Sequence, residues 1–421
     1  MTATTEAKRA APGWMRWVVL GLFMLVAGLS QALWLNYAPL LTTVQTKYGV
    51  SEGLASSLLL VFPLVYVLLS VFAGQLTDRK GYRFAVGLGA VLMAGFSCLR
   101  IHDGGSFWVL LIAQTGIAVG QPFAVNGISK LVADWFTPEQ SAIATGLGTM
   151  GMFSGMAVGM AATPPAVEAL GYQGAMIAFA VVSVVIAAAF VLVVRTNPEA
   201  KPVVDVGPAP TLRSLLGNPK LRLLFAVAFL GLGFFNGLTT WLEPILAPNG
   251  FDAVKAGAIG GVLIVGGIIG AIVVPALSDW AQRRKPFLIG SVVLALIALF
   301  PVSTSHHEAT VMACSFALGF FFLPAFALLL DMCATVAGEV AAGGATGLLM
   351  LFGNGGGVLV IIAMGVVKGD EPTFARAVYL LYGIVAAAIA LALFVPETMQ
   401  KKSPLPAGPA GERIRERAVS R

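Results

Sequence analysis

This sequence carries too little charge to cover a water-facing surface. Asp, Glu, Lys and Arg make up 11% of its 421 residues, against roughly 25% in soluble domains. Cysteine is sparser still. Cys98, Cys314 and Cys333 all fall in apolar runs, which excludes a disulfide framework. The three histidines, His102, His306 and His307, fall between apolar runs, and no cluster of metal ligands lies inside one. Neither a metal nor a cofactor is expected. No glycine-rich loop ends in Lys-Ser or Lys-Thr, which argues against ATP-driven work. No enzyme constellation is present either.

Apolar length is what the chain has. Hydrophobic residues are 58% of it and the mean hydropathy is +0.88. A bilayer core needs about 20 apolar residues per helix, so there is room for about twelve spans. They are expected at roughly 17–41, 54–76, 84–101, 107–131, 142–163 and 174–194, then at roughly 222–247, 256–278, 286–304, 309–334, 343–367 and 374–395. The first run continues past signal-peptide length without a clear cleavage site, so it reads as a span. The expected fold is an all-α membrane protein of twelve transmembrane helices in two six-helix bundles. The bundles take residues 17–194 and 222–395. Residues 1–16, 195–221 and 396–421 read as cytoplasmic N-terminus, linker and tail.

Charge placement orients the chain. With both termini inside, 21 of the 26 Lys and Arg fall in inside segments, as the positive-inside rule requires. Lys47, Arg100, Lys255, Lys368 and Arg376 are left outside, together with all three histidines. The net charge of +6 then suits loops facing anionic lipid and does not point to nucleic acid. A bacterial-type inner membrane, a bilayer partner, a small-molecule substrate and a monomer are expected.

Polar groups inside hydrocarbon need partners, so each is a candidate site. The first span holds Gln31, Trp34, Asn36 and Tyr37 before Pro39. The fourth holds Gln114, Gln121 and Asn126, with Pro122 opening the helical ladder. The seventh holds Asn236, Thr239, Thr240, Trp241 and Glu243 before Pro244, and the eleventh holds Asn354 in a glycine run. Trp34 and Trp241 fall at comparable depths of the first helix of each half, and two aromatics facing a cavity would cage a cation. Glu243, expected near the outer mouth, and Asp331, expected at the inner end of span ten, are the candidate proton carriers. Glycines repeat at three- and four-residue spacing in spans five, eight and eleven, where helix backbones can approach closely.

The stretch Gly74-Gln75-Leu76-Thr77-Asp78-Arg79-Lys80-Gly81-Tyr82-Arg83 packs an acid and three bases between two apolar runs. It must be a short turn at a membrane surface. A degraded copy around Asp279, about 200 residues later, implies an internal repeat. Gly74, Asp78, Arg79, Gly81 and Arg83 resemble the loop signature of the major facilitator superfamily. Span four lacks the embedded arginine found in many proton-coupled antiporters of that superfamily. Gly120-Gln121-Pro122-Phe123 with Lys130-Leu131 and Trp135-Phe136, and the Trp34-Leu35-Asn36-Tyr37 stretch, are similar to the feline leukaemia virus subgroup C receptor family. That resemblance implies transport of choline or related amines, with haem export as the alternative. The family's aromatic on span one falls on Trp34 and its span-four glutamine on Gln121. Its span-seven tyrosine and span-eleven glutamine fall on Asn236 and Asn354, which are departures.

The expected function is secondary transport of a small polar or cationic solute by alternating access. A haem exporter, using the His306-His307 pair, is one alternative. A carrier of a neutral or anionic metabolite is another, although no basic residue lies deep in the spans for an anion. A sensor that binds solute without moving it would need a signalling domain, and none is visible.

Overall fold

The computed structural model describes residues 13–102, 104–197, 211–338, 341–371 and 373–399. The segment before Gly13, residues 198–210 of the linker, the tail beyond Met399 and the cations within these stretches lie outside the described residues. Helices are the only regular elements among the described residues. The first span is α1 (Met15–Leu35), continued through a 3-10 turn (Ala38–Leu40) into α2 (Leu41–Tyr48). Next come α3 (Glu52–Lys80), α4 (Tyr82–Leu99), α5 (Phe107–Val125) and α6 (Gly127–Trp135). α7 (Pro138–Val193) follows, and α8 (Leu212–Gly217) is a short linker helix. The second half comprises α9 (Pro219–Leu246), α10 (Ala253–Ala281), α11 (Lys285–Thr304), α12 (Glu308–Ala337), α13 (Ala342–Lys368) and α14 (Ala375–Ala392).

Among the described residues eleven segments are long and apolar enough to cross a membrane. One of them, Ile143–Val193, holds 51 residues. Straight, it would run about 75 Å, over twice the roughly 30 Å hydrocarbon core. The chain instead turns at Gly171, whose φ of 71° only glycine adopts cheaply. Beyond the turn it comes back to the end it left. Tyr82 donates to the Arg195 carbonyl (2.6 Å), and Asn197 donates to the Asp134 carbonyl (2.6 Å). α7 therefore supplies two spans, and twelve are present.

The halves repeat in one register. Thr42 and Glu243 are 201 positions apart. The same interval relates Asp78 to Asp279, Arg83 to Arg284 and Gly155 to Gly356. It also relates Ser51 to Asp252, whose side chains cap α3 and α10 by accepting from Leu54 N and Lys255 N. α3 and α10 begin and end in this register. Within the first half, α1 and α7 touch backbone to backbone where Gly155 meets Gly28 and Gly159 meets Ala32. Gly356 meets Phe229 in the second half in the same way. Small residues thus bring the helices together where lipid provides no hydrophobic drive.

The halves meet at the Ser51 end. Gly257, Gly260 and Gly261 of α10 lie against Met160, Ala161 and Pro164 of α7. Lys368 of α13 pairs with Glu52 of α3. Glu243 accepts from the Thr42 hydroxyl at 2.6 Å and from its backbone N–H at 3.3 Å. At the Asp78 end a cavity opens between the halves.

Candidate functional site

The cavity holds about 1050 Å³ and reaches from mid-depth to Gly74, Asp78, Gly343 and Thr346 at its mouth. That is at the top of the range of roughly 300–1,000 Å³ for pockets that take drug-sized ligands. Asp78 is the only charged side chain among the described lining residues. The walls are rings, amides and aliphatic groups.

Two prolines build the polar side. Pro63 lies inside α3 and has no N–H for the Leu59 carbonyl one turn back. The Trp34 indole N–H takes that carbonyl at 3.2 Å and its ring stacks on Phe62, with centroids 6.1 Å apart. The indole is thereby held at the cavity wall, 7% exposed. Pro122 similarly removes the donor for Ala118, and α5 stops three residues later. At that break the Asn126 amide accepts from the Tyr66 hydroxyl (3.1 Å) and donates to the Ser70 carbonyl (3.0 Å). Tyr66 and Ser70 are one turn apart on α3 and both line the cavity.

Gln31, Trp34, Gln121, Asn126, Asn236 and Asn354 are brought to one cavity. The Gln31 Oε1 and both polar atoms of Asn236 are buried without a protein partner. Buried polar atoms are normally satisfied, so orphans beside a cavity are candidates for water or ligand. Asn354 Nδ2 donates to its own helix at Met350 O (2.9 Å).

Other expected residues lie elsewhere. Trp241 is not a cavity residue. Its indole N–H bonds the Ile361 carbonyl (3.2 Å), its ring packs on Phe374 (5.1 Å), and it borders a small recess with Glu52 and Lys368 at the Ser51 end. The register shows why: the counterpart of Trp34 is Phe235, which does line the cavity. Tyr37 points into the first bundle, where its hydroxyl meets Tyr172 (3.2 Å) and Met176 (3.3 Å). Arg100, counted with the outside loop, is buried over the Tyr37 ring and donates to Gln114 (3.2 Å). Gln114 in turn donates to the Leu33 carbonyl (3.0 Å), left open where α1 ends. Thr240 is buried one turn below Glu243, outside the cavity lining, with its hydroxyl unpartnered.

Neither candidate proton carrier borders the cavity. Glu243, 5% exposed, is enclosed between the halves at the Ser51 end. Asp331 is half-exposed in an ion pair with Arg284 (2.9 Å), which also holds Asp279 (2.7 Å). In the first half Gly74 and Asp78 are at the cavity mouth. Gly81, with φ 82°, ends α3, and Arg79 and Arg83 are exposed at that end. His306 and His307 are exposed before α12, at the opposite end from the mouth. Among the described residues no metal-ligand cluster occurs.

Tyr66, Phe235 and Phe322 are lining residues that the sequence reading did not single out. The repeat register would have found two of them, because Phe235 and Phe322 stand where the first half has Trp34 and Gln121.

A sequence profile described as the Major Facilitator Superfamily matches residues 22–361. An uncharacterized protein of Archaeoglobus fulgidus is 36% identical over 44% of this chain and 82% of its own length. The choline/ethanolamine transporter flvcr2a of Danio rerio is 24% identical over 92% of this chain and 88% of its own. Among solved structures, a bacterial homolog of the human lysosomal transporter Spinster, in an inward-facing and unoccupied conformation, aligns with a TM-score of 0.67. It is 14% identical and covers 90% of this chain and 95% of its own.

Proposed function

This chain belongs to the Major Facilitator Superfamily, and from that premise we propose that it carries a small organic amine, such as choline or ethanolamine, across its membrane by alternating access. The observation that carries the reading is the cavity wall. Aromatic faces and amide oxygens surround a space with no basic side chain among its described lining residues and no acid but Asp78 at the mouth. Such a wall suits a weakly hydrated cation, through ring faces and carbonyl dipoles, and repels nothing positive. It offers an anion no counter-charge. The similarity to a choline/ethanolamine transporter agrees with it.

The cycle follows from the two ends. Substrate reaches Trp34, Gln121 and Asn126 through the Asp78 mouth, which we place in the cytoplasm with both termini. The Thr42–Glu243 and Glu52–Lys368 contacts hold the other end shut. Closing the mouth and parting those contacts would expose the same residues to the other side. Asp279 is tied by Arg284, whereas Asp78 stands at the mouth, where a closing second half would meet it.

The test is flux of labelled choline and ethanolamine into liposomes holding the purified protein, beside amino acids and organic acids. Saturable amine flux whose KM rises in Trp34→Ala is expected. Flux of only neutral or anionic solutes through folded protein would overturn the amine reading.

A further inference from the structure

The cavity is lopsided. In the first half its lining comes from α1, α3, the α5–α6 junction and the first span of α7. Neither α4 nor the second span of α7 contributes. In the second half all six helices contribute, including α11 and α14, the counterparts of those two. Leu288 and Val292 of α11, Ala325 and Leu329 of α12, and Val385 and Ala388 of α14 line the extension. All six are apolar, and none is more than 6% exposed. The extension is therefore a narrow, dry slot between helices.

The repeat register explains why only one half has it. In the first half, Gly89 of α4 and Gly120 of α5 face each other. A Cβ built on either would fall 2.6 Å from the other's carbonyl oxygen. Phe190, fully buried, lies behind them against Gly87. The corresponding pair in the second half is Gly290 and Phe321. A Cβ on Gly290 would meet nothing within 4 Å. The close glycine contact that seals the first half therefore has no counterpart at Gly290.

The central positions differ in the same sense. The first half presents an indole and an amide, Trp34 and Gln121. The second presents two stacked phenyl rings, Phe235 and Phe322, 6.4 Å apart and 5° from parallel. At these two positions the first-half wall offers polar contacts, whereas the second-half wall, which also carries Asn236 and Asn354, leads past its phenyl rings into hydrocarbon.

We infer that the transported solute is an amphiphile, with its polar or cationic end against Gln31, Trp34, Gln121 and Asn126 and an alkyl or aryl arm in the slot between α11, α12 and α14. This rests on the proposed transport function and adds the substrate's second half to it. Each methylene moved from water into such a slot contributes about a fourfold gain in affinity.

The experiment uses the full chain in lipid nanodiscs, where no detergent tail competes. Binding of n-alkyltrimethylammonium ions, from methyl to octyl, is read from the ligand-dependent rise in unfolding temperature. A parallel series of n-alkanols carries the tail without the charge. Affinity is expected to rise about fourfold per methylene and then to level off when the slot is full. Ala388→Leu should bring the plateau to a shorter tail and reduce the octyl-to-methyl ratio. Val292→Ala should move the plateau to a longer tail. A gain per methylene that is the same in all three proteins would mean partition into lipid, and would overturn the slot. No gain at all would do the same. A slot-dependent gain for alkanols with no advantage for ammonium ions would leave the slot standing and sink the amine reading. Unfolding without ligand checks that each variant is folded.

Discussion

Trp34 illustrates how a single side chain is placed by backbone chemistry. Its indole N–H bonds a carbonyl that exists as a free acceptor only because Pro63 lacks a donor. Trp34→Ala should therefore raise KM for an amine by about 2- to 30-fold, the span of one cation–π contact. Trp34→Phe keeps a ring but loses the tether, so its KM should fall between. Initial rates of labelled choline uptake measure both. Thr42 is the second residue with a clear expectation. Thr42→Val removes the hydroxyl that donates to the enclosed Glu243 carboxylate. Leaving a buried polar group without its partner costs about 1–3 kcal/mol, which should loosen the Ser51 end. Faster maleimide labelling of a cysteine placed at Met160, buried between the halves against Gly257 and Gly260, would report it, and an unchanged rate would deny Thr42 a gating role. Trp34, Gln121 and Asn126 were legible as candidates because amides and indoles stand out in apolar runs. Trp241 stands out equally and lies elsewhere, because residue type does not say which way a helix face turns.

At the scale of elements, helix ends and close approaches decide what can change. Gly155 has the Gly28 carbonyl where its side chain would be. Gly155→Leu should part α1 from α7 at a cost of about 1–3 kcal/mol or more, seen as a lower unfolding temperature and an aggregated fraction in size-exclusion chromatography. α11 starts without a side-chain cap of its own. Glu397, from beyond α14, supplies one by accepting from the backbone N–H groups of Arg284 (2.8 Å) and Lys285 (3.1 Å). Burial opposes its ionisation, but the N–H groups of Arg284, Met399, Lys285 and Thr398 outweigh that and hold its carboxyl below the usual range. Its contribution is therefore present above the ordinary glutamate value of about 4.3. It is lost as pH falls through the lowered one. The difference in unfolding temperature between the protein and Glu397→Gln should be largest near neutral pH and shrink in acid. A difference independent of pH would remove the charge from the explanation. These spans were legible nearly to their ends, and the turn between the fifth and sixth falls at Gly171, inside the expected gap.

At the scale of the molecule, two halves in one register are joined at one end and apart at the other. Glu52 and Lys368 bridge the joined end. Cysteines at both positions, in a background without Cys98, Cys314 and Cys333, should be joined by a short bifunctional thiol reagent. Flux should then stop and return when a reducible reagent is cleaved. Undiminished flux with the bridge in place would mean that the end never opens during transport. Residues 52 and 368 come from α3 and α13, and nothing in their local sequence relates them.

The sequence by itself determined that this chain lives in a bilayer, where its spans begin and end, and that its halves repeat. Those follow from local rules: every 20-residue stretch in hydrocarbon must satisfy its own backbone and shed its charge, and every loop must not. Tertiary structure alone decided which polar groups meet. The rotation of a helix about its axis is set by the neighbours it packs against, so Phe235 and not Trp241 reaches the cavity. Packing also decided that one half holds a slot and the other none: α4 and α5 touch backbone to backbone at Gly89 and Gly120, whereas Gly290 of α11 has no such neighbour.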